Sequence, residues 1–184
     1  MIGGKVMKRN FYFVFIGIIV VGLVSYFSLN NGESTTEGEA SNIKELVHDY
    51  STGNVGGNEV ASITSHELIV TDSDQKETIY DLPADEFFVS IAPYVTETHP
   101  CAIHSLTGCQ GELANAEFDI YIEDEEGNVI LDEAVTSLEN GFIDLWLPRD
   151  KTYHSIITFD GKTVESEFST FEGDNTCITT MQLM

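Results

Sequence analysis

Basic residues are scarce in this chain of 184 residues, which has 8 Lys and Arg against 31 Asp and Glu and a formal net charge of −23 at pH 7. A protein that binds nucleic acid needs a basic surface to replace the counterions of the phosphates. The composition therefore excludes nucleic-acid binding. So acidic a surface instead attracts cations and opposes association between copies of the chain.

Cysteine is also scarce, with 3 residues, while 42% of the residues are hydrophobic and suffice for one globular core. An odd number of cysteines cannot be fully paired in disulfides, so at least one thiol is left over. Common catalytic and calcium signatures are absent: no phosphate-binding Gly-rich loop, no His-Glu-x-x-His, no nucleophilic Ser elbow and no calcium loop occur. The leftover thiol is the first indication of function.

Residues 11–29 form an apolar run without a charged side chain. As a helix with about 1.5 Å per residue, this run spans nearly the ~30 Å hydrocarbon core of a bilayer. Lys5, Lys8 and Arg9 precede it, which predicts a cytoplasmic N-terminus and an exported remainder. We predict a retained single-pass anchor. A cleaved signal peptide, giving a secreted or periplasmic protein, is the alternative, although its apolar core usually has only about 7–15 residues.

Composition divides the chain into four segments. Residues 1–10 are predicted to be a basic cytoplasmic tail and residues 11–29 the transmembrane anchor. Residues 30–41 are rich in Asn, Gly, Glu, Ser and Thr, which predicts a flexible linker. Residues 42–184 then form the extracytoplasmic domain.

The extracytoplasmic domain begins with a helical pattern and continues with strand patterns. Asn42 followed by Glu45 resembles a capping box, and Gly53 is predicted to end the helix. Turn signals at Glu126-Gly127-Asn128 and Asp160-Gly161 predict two hairpins. We predict a mainly β fold: a small antiparallel β-sandwich-like domain with one N-terminal helix, preceded by the single transmembrane helix. The predicted strand segments are 59–71, 77–82, 87–94, 118–122, 129–134, 142–147, 153–159 and 163–168.

Two thiols and two imidazoles lie close together in the sequence, as His99, Cys101, His104 and Cys109. Thiolate is a soft ligand that prefers Cu(I) and also binds Zn(II). Three cysteines, with or without a His, would make a trigonal Cu(I) site or a tetrahedral Zn(II) site. Cys177 can join them only if the last strand runs beside this segment. The paired Cys-x-x-Cys steps of structural zinc modules are missing, which favours copper.

Two other interpretations explain the same residues. A disulfide between Cys101 and Cys109, with Cys177 as a buried bystander, would make the domain a structural or adhesive surface module. At this point the disulfide and the metal site are about equally well supported. A Cys101 and His104 nucleophile pair would make the protein a thiol enzyme, but an acidic chain raises the pKa of a thiol and disfavours this role.

A series of characteristic segments runs through most of the exported domain. The segments are Phe88-Val89-Ser90-Ile91-Ala92-Pro93-Tyr94, His99-Pro100-Cys101, His104-Ser105-Leu106, Cys109-Gln110-Gly111-Glu112, Asn140-Gly141-Phe142, Leu145-Trp146-Leu147-Pro148-Arg149, Gly161-Lys162-Thr163 and Cys177-Ile178-Thr179-Thr180. Together they resemble the CueP family of copper-binding envelope proteins. The likeness weakens before Asp81.

The resemblance implies copper binding outside the cytoplasm, copper tolerance and delivery of copper to envelope enzymes. The three family cysteines correspond to Cys101, Cys109 and Cys177, and reduction of Cu(II) to Cu(I) by these thiols is associated with the family. Family members from double-membraned bacteria are soluble in the periplasm, whereas this chain is predicted to keep its anchor. The simplest arrangement is a single-membraned cell with the domain tethered at its outer face.

We therefore predict a membrane-tethered, extracytoplasmic protein that binds Cu(I) through three cysteines. Cys101, Cys109, Cys177, His104 and His99 are the candidate metal ligands. The expected partners are the copper ion, which is Cu(I) when bound and Cu(II) as a redox substrate, together with a copper donor or an envelope cuproenzyme.

Overall fold

The computed structural model describes residues 37–184 of the protein. The predicted anchor at residues 11–29 and the basic tail lie outside the described residues. Within residues 37–184, every helix is too short or too polar to cross a bilayer.

The described part of the chain contains one helix followed by short strands. The mainly β character predicted for the domain is confirmed. In chain order the elements are α1 (Glu37–Thr52), β1 (Val60–Ile63), β2 (Glu67–Thr71), β3 (Glu77–Asp81), β4 (Glu86–Ile91), β5 (His104–Ser105), β6 (Glu117–Asp124), β7 (Val129–Thr136), β8 (Ile143–Pro148), β9 (Thr152–Phe159), β10 (Lys162–Ser169) and β11 (Cys177–Ile178).

Helix α1 packs through the apolar face that its sequence predicts. Ile43, Val47 and Tyr50 are buried in one cluster with residues of β1 and β2, because positions four and three apart share one side of a helix. The helix begins at Glu37 rather than at the predicted cap Asn42. Residues 37–41, which composition assigned to the linker, are therefore helical. The strong helix formers Glu and Ala in this stretch favour that extension.

The strands form three sheets rather than one simple sandwich. Their orders are β3-β2-β1-β5, β10-β9-β6-β7 and β11-β4-β8. Strand β11 runs parallel to β4, so the expectation of a purely antiparallel domain is corrected. The physical reason is that the chain returns after β10 and adds its last segment to the free edge of β4, a long-range pairing that local pattern does not reveal.

Strand β4 is the central element, since side chains from both of its faces are buried. Phe87, Val89 and Ile91 lie on one face of β4. They pack in one core with residues of β6 and β9, which belong to the sheet β10-β9-β6-β7. Phe88 packs on the opposite side, with residues of α1 and the sheet of β1. Complete burial of one such side chain contributes about 1.5–3 kcal/mol relative to exposure. Two sheets thus share a core as expected, and the third lies across β4 from it.

Both predicted hairpins are present. Strand β6 pairs antiparallel with β7, and β9 pairs antiparallel with β10. Asp160 and Gly161 have φ angles of 49° and 74°, the positive values that a tight two-residue turn of the I′ type requires at both positions. The Asp160-Gly161 turn therefore predicted the pairing of β9 with β10 correctly from the sequence.

The connection between β4 and β6 carries the candidate ligands other than Cys177 and is held by a close contact between two glycines. The Gly111 amide donates a hydrogen bond of 2.7 Å to the Asn140 carbonyl. A Cβ atom on Gly141 would lie 2.6 Å from the Gly111 carbonyl oxygen. Only glycines allow the two backbones to approach this closely.

Replacing Gly141 by Ala should destabilise the protein more than replacing Gly127 by Ala. Both glycines have a φ of 81°, so both substitutions impose the same kind of backbone strain. A Cβ atom meets the backbone of Gly111 only at position 141, while nothing lies within 4 Å at position 127. We expect an extra loss of about 1–3 kcal/mol in the free energy of unfolding, the usual cost of overpacking. Chemical denaturation of the two variants measures it, and equal losses would contradict the contact.

Candidate metal centre

Four of the five predicted ligands converge at one place. The sulfur atoms of Cys101, Cys109 and Cys177 and a ring nitrogen of His104 all lie within 4.8 Å of one another. Cys101 and Cys109 flank β5 in the connection after β4, and His104 is the first residue of β5. Cys177 is the first residue of β11. Residues distant in sequence thus supply one compact set of sulfur and nitrogen donors.

Strand β5 directs His104 into the interior. It pairs antiparallel with β1, with Ile63 opposite His104. The His104 side chain is fully buried, and its ring centroid lies 4.5 Å from that of Phe142 and 6.3 Å from that of Phe88. Neither ring nitrogen has a hydrogen-bond partner. Because a buried polar atom without a partner is costly, this imidazole is a strong candidate for a metal ligand.

The environment of His104 keeps its ring neutral. Burial, with a smaller contribution from the charge of His99, lowers the pKa of His104 to about 4. At neutral pH the imidazole is therefore uncharged and one nitrogen carries a free lone pair. That is the form in which histidine binds metal ions.

The last strand, β11, runs beside the segment that carries Cys101 and Cys109. Cys177 can therefore join the other two cysteines, as the metal-site interpretation requires. The backbone amides of Thr176 and Cys177 donate hydrogen bonds of 3.0 and 3.2 Å to the Ala102 carbonyl. On its other side β11 pairs with β4, with Ser90 opposite Cys177. Cross-strand partners share one face of a sheet, so the buried Cys177 thiol points to the side of β4 that carries Ser90.

The three thiols are free. The sulfur atoms of Cys101 and Cys109 are 3.7 Å apart. Two sulfurs on a tetrahedral ion with bonds of about 2.3 Å would be separated by about 3.8 Å. The Cys101 and Cys109 sulfurs are therefore spaced as two ligands of one small thiophilic ion, and the other two donors lie within 4.8 Å of them.

Burial raises the pKa of the Cys177 thiol, and the neighbouring Cys101 raises it further. Burial likewise raises the pKa of Cys101. Both sulfurs are consequently protonated at neutral pH in the metal-free protein. This disfavours the Cys101 nucleophile considered from sequence, because the thiolate is the reactive form.

His99 lies outside the group of four. Its side chain is half-buried, and its ring centroid is 6.4 Å from that of Phe142. Both histidines of the segment thus lie beside the same phenylalanine ring, but only His104 is directed at the sulfurs.

A polar row extends from Cys177 across the three-stranded sheet. Ser90 lies opposite Cys177 on one side and opposite Asp144 on the other. The Asp144 carboxylate accepts hydrogen bonds of 2.5 Å from the Ser90 hydroxyl and 2.6 Å from the Ser51 hydroxyl. Burial raises the pKa of Asp144, and the two serine bonds oppose that shift. Asp144, the one charged residue of an otherwise apolar strand segment, therefore joins α1 to the sheet that carries the site.

Residues that support the ligands were not found from the sequence. Phe88 and Phe142 pack against His104, and Thr176 bonds to its backbone. In the sequence each of these residues resembles an ordinary strand or loop residue, because only long-range packing brings it close to the candidate ligands. The resemblance signal covered Phe88 and Phe142 but not Thr176.

Comparison with known proteins identifies a family and a similar solved structure. The sequence profile of a family described as "Periplasmic copper-binding protein CueP" matches residues 46–182. The chain belongs to the CueP family. A solved structure titled "Crystal Structure of S.CueP" is similar, with a TM-score of 0.72, 29% sequence identity, and coverage of 98% of this chain and 100% of that chain. No curated protein matches the chain. The resemblance to the CueP family predicted from sequence is confirmed.

Replacing His104 by Leu should remove an acid-sensitive part of the stability of the metal-free protein. The folded pKa of about 4 lies below the ordinary value of 6.5, so the unfolded chain binds more protons between these pH values. The contribution of His104 to the free energy of unfolding is therefore at its maximum above pH 6.5. It falls by up to about 3 kcal/mol as the pH falls towards 4.

Urea denaturation of the reduced protein at pH 4.5 and 7.5 measures this effect. The wild type should lose more stability between these pH values than His104→Leu. His48→Leu, at an exposed position on α1, is the control and should behave like the wild type. An unchanged pH dependence in His104→Leu would contradict the burial of a neutral imidazole.

Proposed function

We propose that this protein binds Cu(I) outside the cytoplasm through the thiolates of Cys101, Cys109 and Cys177 and the imidazole of His104. The observation that carries the proposal is the convergence of three sulfurs and an unpartnered buried imidazole within 4.8 Å. Soft sulfur donors select Cu(I) over the hard cations that carboxylates prefer. The acidic surface gathers cations, and the sulfurs supply the selectivity.

Zinc is the second candidate, because three sulfurs and one nitrogen also suit tetrahedral Zn(II). Membership of a family described as copper-binding supports copper. Sequence spacing agrees, since the cysteines do not occur in the paired short steps of structural zinc modules.

The burial of the ligands suits a site that exchanges its ion. Cys101 and Cys109 are half-buried, whereas Cys177 and His104 are fully enclosed. Copper therefore enters and leaves past the Cys101 and Cys109 sulfurs. We propose that the ion is cargo in copper tolerance or copper delivery, received from a copper donor or passed to an envelope cuproenzyme.

We further propose that the Cys101 and Cys109 pair can reduce Cu(II). The 3.7 Å separation of their sulfurs allows a disulfide to form with a small movement. Each sulfur gives one electron to one Cu(II) ion, so that two Cu(II) ions become two Cu(I) ions, one S–S bond forms and two protons are released. Cys177 and His104 then remain as ligands for one of the Cu(I) ions.

Affinity for Cu(I), measured anaerobically by competition with a chromophoric Cu(I) chelator, tests the binding proposal. Single Cys→Ser changes at positions 101, 109 and 177 should each weaken binding by more than about 100-fold, beyond the roughly 10–100-fold that the loss of a supporting residue usually costs. His104→Ala should also weaken it. His99→Ala is the matched histidine control, and a loss as large as that of His104→Ala would make His99 a ligand as well.

The same preparation decides between copper and the alternatives. Tight Zn(II) binding without Cu(I) binding would make this a zinc protein, and a stable disulfide without uptake of either metal would support the structural module. Counting free thiols before and after anaerobic addition of Cu(II) tests the reduction step. An unchanged count would end that part of the proposal.

We also propose that residues 11–29 anchor the protein in the membrane, with residues 42–184 outside and residues 30–36 retaining the role of linker. The uncharged run and the basic residues before it support this topology. The periplasmic description of the family supports the extracytoplasmic location of the domain.

The full-length protein should stay with membranes after an alkaline wash, and protease added to intact cells should remove the domain. A mature chain that lacks the first segment by mass spectrometry would instead show signal cleavage.

A further inference from the structure

We propose that Thr176 is a positioning residue of the metal centre, whose hydroxyl fixes His104 relative to Cys177. This inference rests on the proposed function, since it concerns ligands of that site. Thr176 itself offers no ligand atom. It acts through the backbone of its neighbours.

The Thr176 hydroxyl makes two buried hydrogen bonds. It donates to the Ile63 carbonyl at 2.7 Å and accepts from the His104 amide at 3.0 Å. Ile63 and His104 are opposite one another in the β1–β5 pair. All three residues are almost completely enclosed. The hydroxyl therefore holds the strand that carries the imidazole at the point where its ring enters the site.

The backbone of Thr176 is anchored on two further sides. Its amide donates to the Ala102 carbonyl at 3.0 Å, and its carbonyl accepts from the Ser90 amide at 2.8 Å. Cys177 follows directly in sequence. The side chain of Thr176 thus connects β5, which carries His104, to the segment that carries Cys177. Thr176 therefore links the backbone near His104 to the backbone near Cys177 and leaves the imidazole nitrogen and the thiol sulfur free to bind metal.

Loss of the hydroxyl would leave two buried polar groups without this partner. Valine has nearly the same shape as threonine and lacks only the hydroxyl. The His104 amide and the Ile63 carbonyl would each be buried without this hydrogen bond, which is costly unless β5 moves. Movement of β5 away from β11 would relieve that cost and would separate the imidazole from the Cys177 sulfur. Serine keeps the hydroxyl and should keep the geometry.

A double-mutant cycle on the full-length protein tests this role, with anaerobic Cu(I) affinity as the readout. We expect Thr176→Val to weaken Cu(I) binding by roughly 10–100-fold, the range seen when a group that orients a ligand is lost. Thr176→Ser should bind within a few-fold of the wild type. In a His104→Ala background, Thr176→Val should have little further effect, because the residue it positions is gone.

The outcomes separate this inference from the proposed function. Equal losses from Thr176→Val in both backgrounds would show a general structural role and overturn the inference. Wild-type affinity in Thr176→Val would also overturn it while leaving Cu(I) binding intact. A wild type that binds no Cu(I) would instead overturn the proposed function.

X-ray absorption at the copper edge gives a second readout, at saturating Cu(I), where binding itself stabilises the fold of a weakened variant. The nitrogen contribution should be present in the wild type and Thr176→Ser and lost in Thr176→Val. A nitrogen contribution in Thr176→Val equal to that of the wild type would contradict the proposed positioning.

Discussion

The hydrogen bonds that the Ala102 carbonyl accepts from residues 176 and 177 hold the site together. They join the connection after β4 to the end of the chain and, with the pairing of β11 to β4, bring Cys177 beside Cys101 and Cys109. Both partners are backbone groups, so the bonds survive most changes of side chain. Closing a loop of this length carries an entropic cost, which the burial of β11 beside β4 offsets. The candidate metal centre is consequently a property of the whole domain and not of a local motif.

Local signals predicted the elements whose structure is decided locally. Alternating apolar residues identified β6, and the Asp160-Gly161 turn identified the β9–β10 hairpin, because side-chain periodicity and positive φ depend only on nearby residues. The parallel pairing of β11 with β4 could not be predicted, since two residues of strand carry no period. The start of α1 was missed because the Asn42 cap signal is also compatible with a helix that continues through it.

The site shows the same division between composition and placement. The density of Cys and His between positions 99 and 109 indicated three of the four residues that converge in the candidate site, which are Cys101, His104 and Cys109. Which imidazole faces the sulfurs depends on the pairing of β5 with β1, which turns His104 inward and leaves His99 beside Phe142. Thr176 gave no signal, because a threonine between Asn175 and Cys177 is unremarkable until its hydroxyl is seen between two backbone groups.

The two buried faces of β4 have a consequence for how this sequence can change over evolutionary time. Phe87 belongs to the core shared with β6 and β9, whereas its neighbour Phe88 packs beside His104. Selection therefore acts differently on these adjacent positions. At Phe87 it preserves the packing between two sheets, and at Phe88 it preserves the surroundings of the candidate ligand His104. Because both faces of this strand are buried, substitutions at neighbouring positions should be harmful for different reasons, and the cost at one residue does not predict the cost at the next.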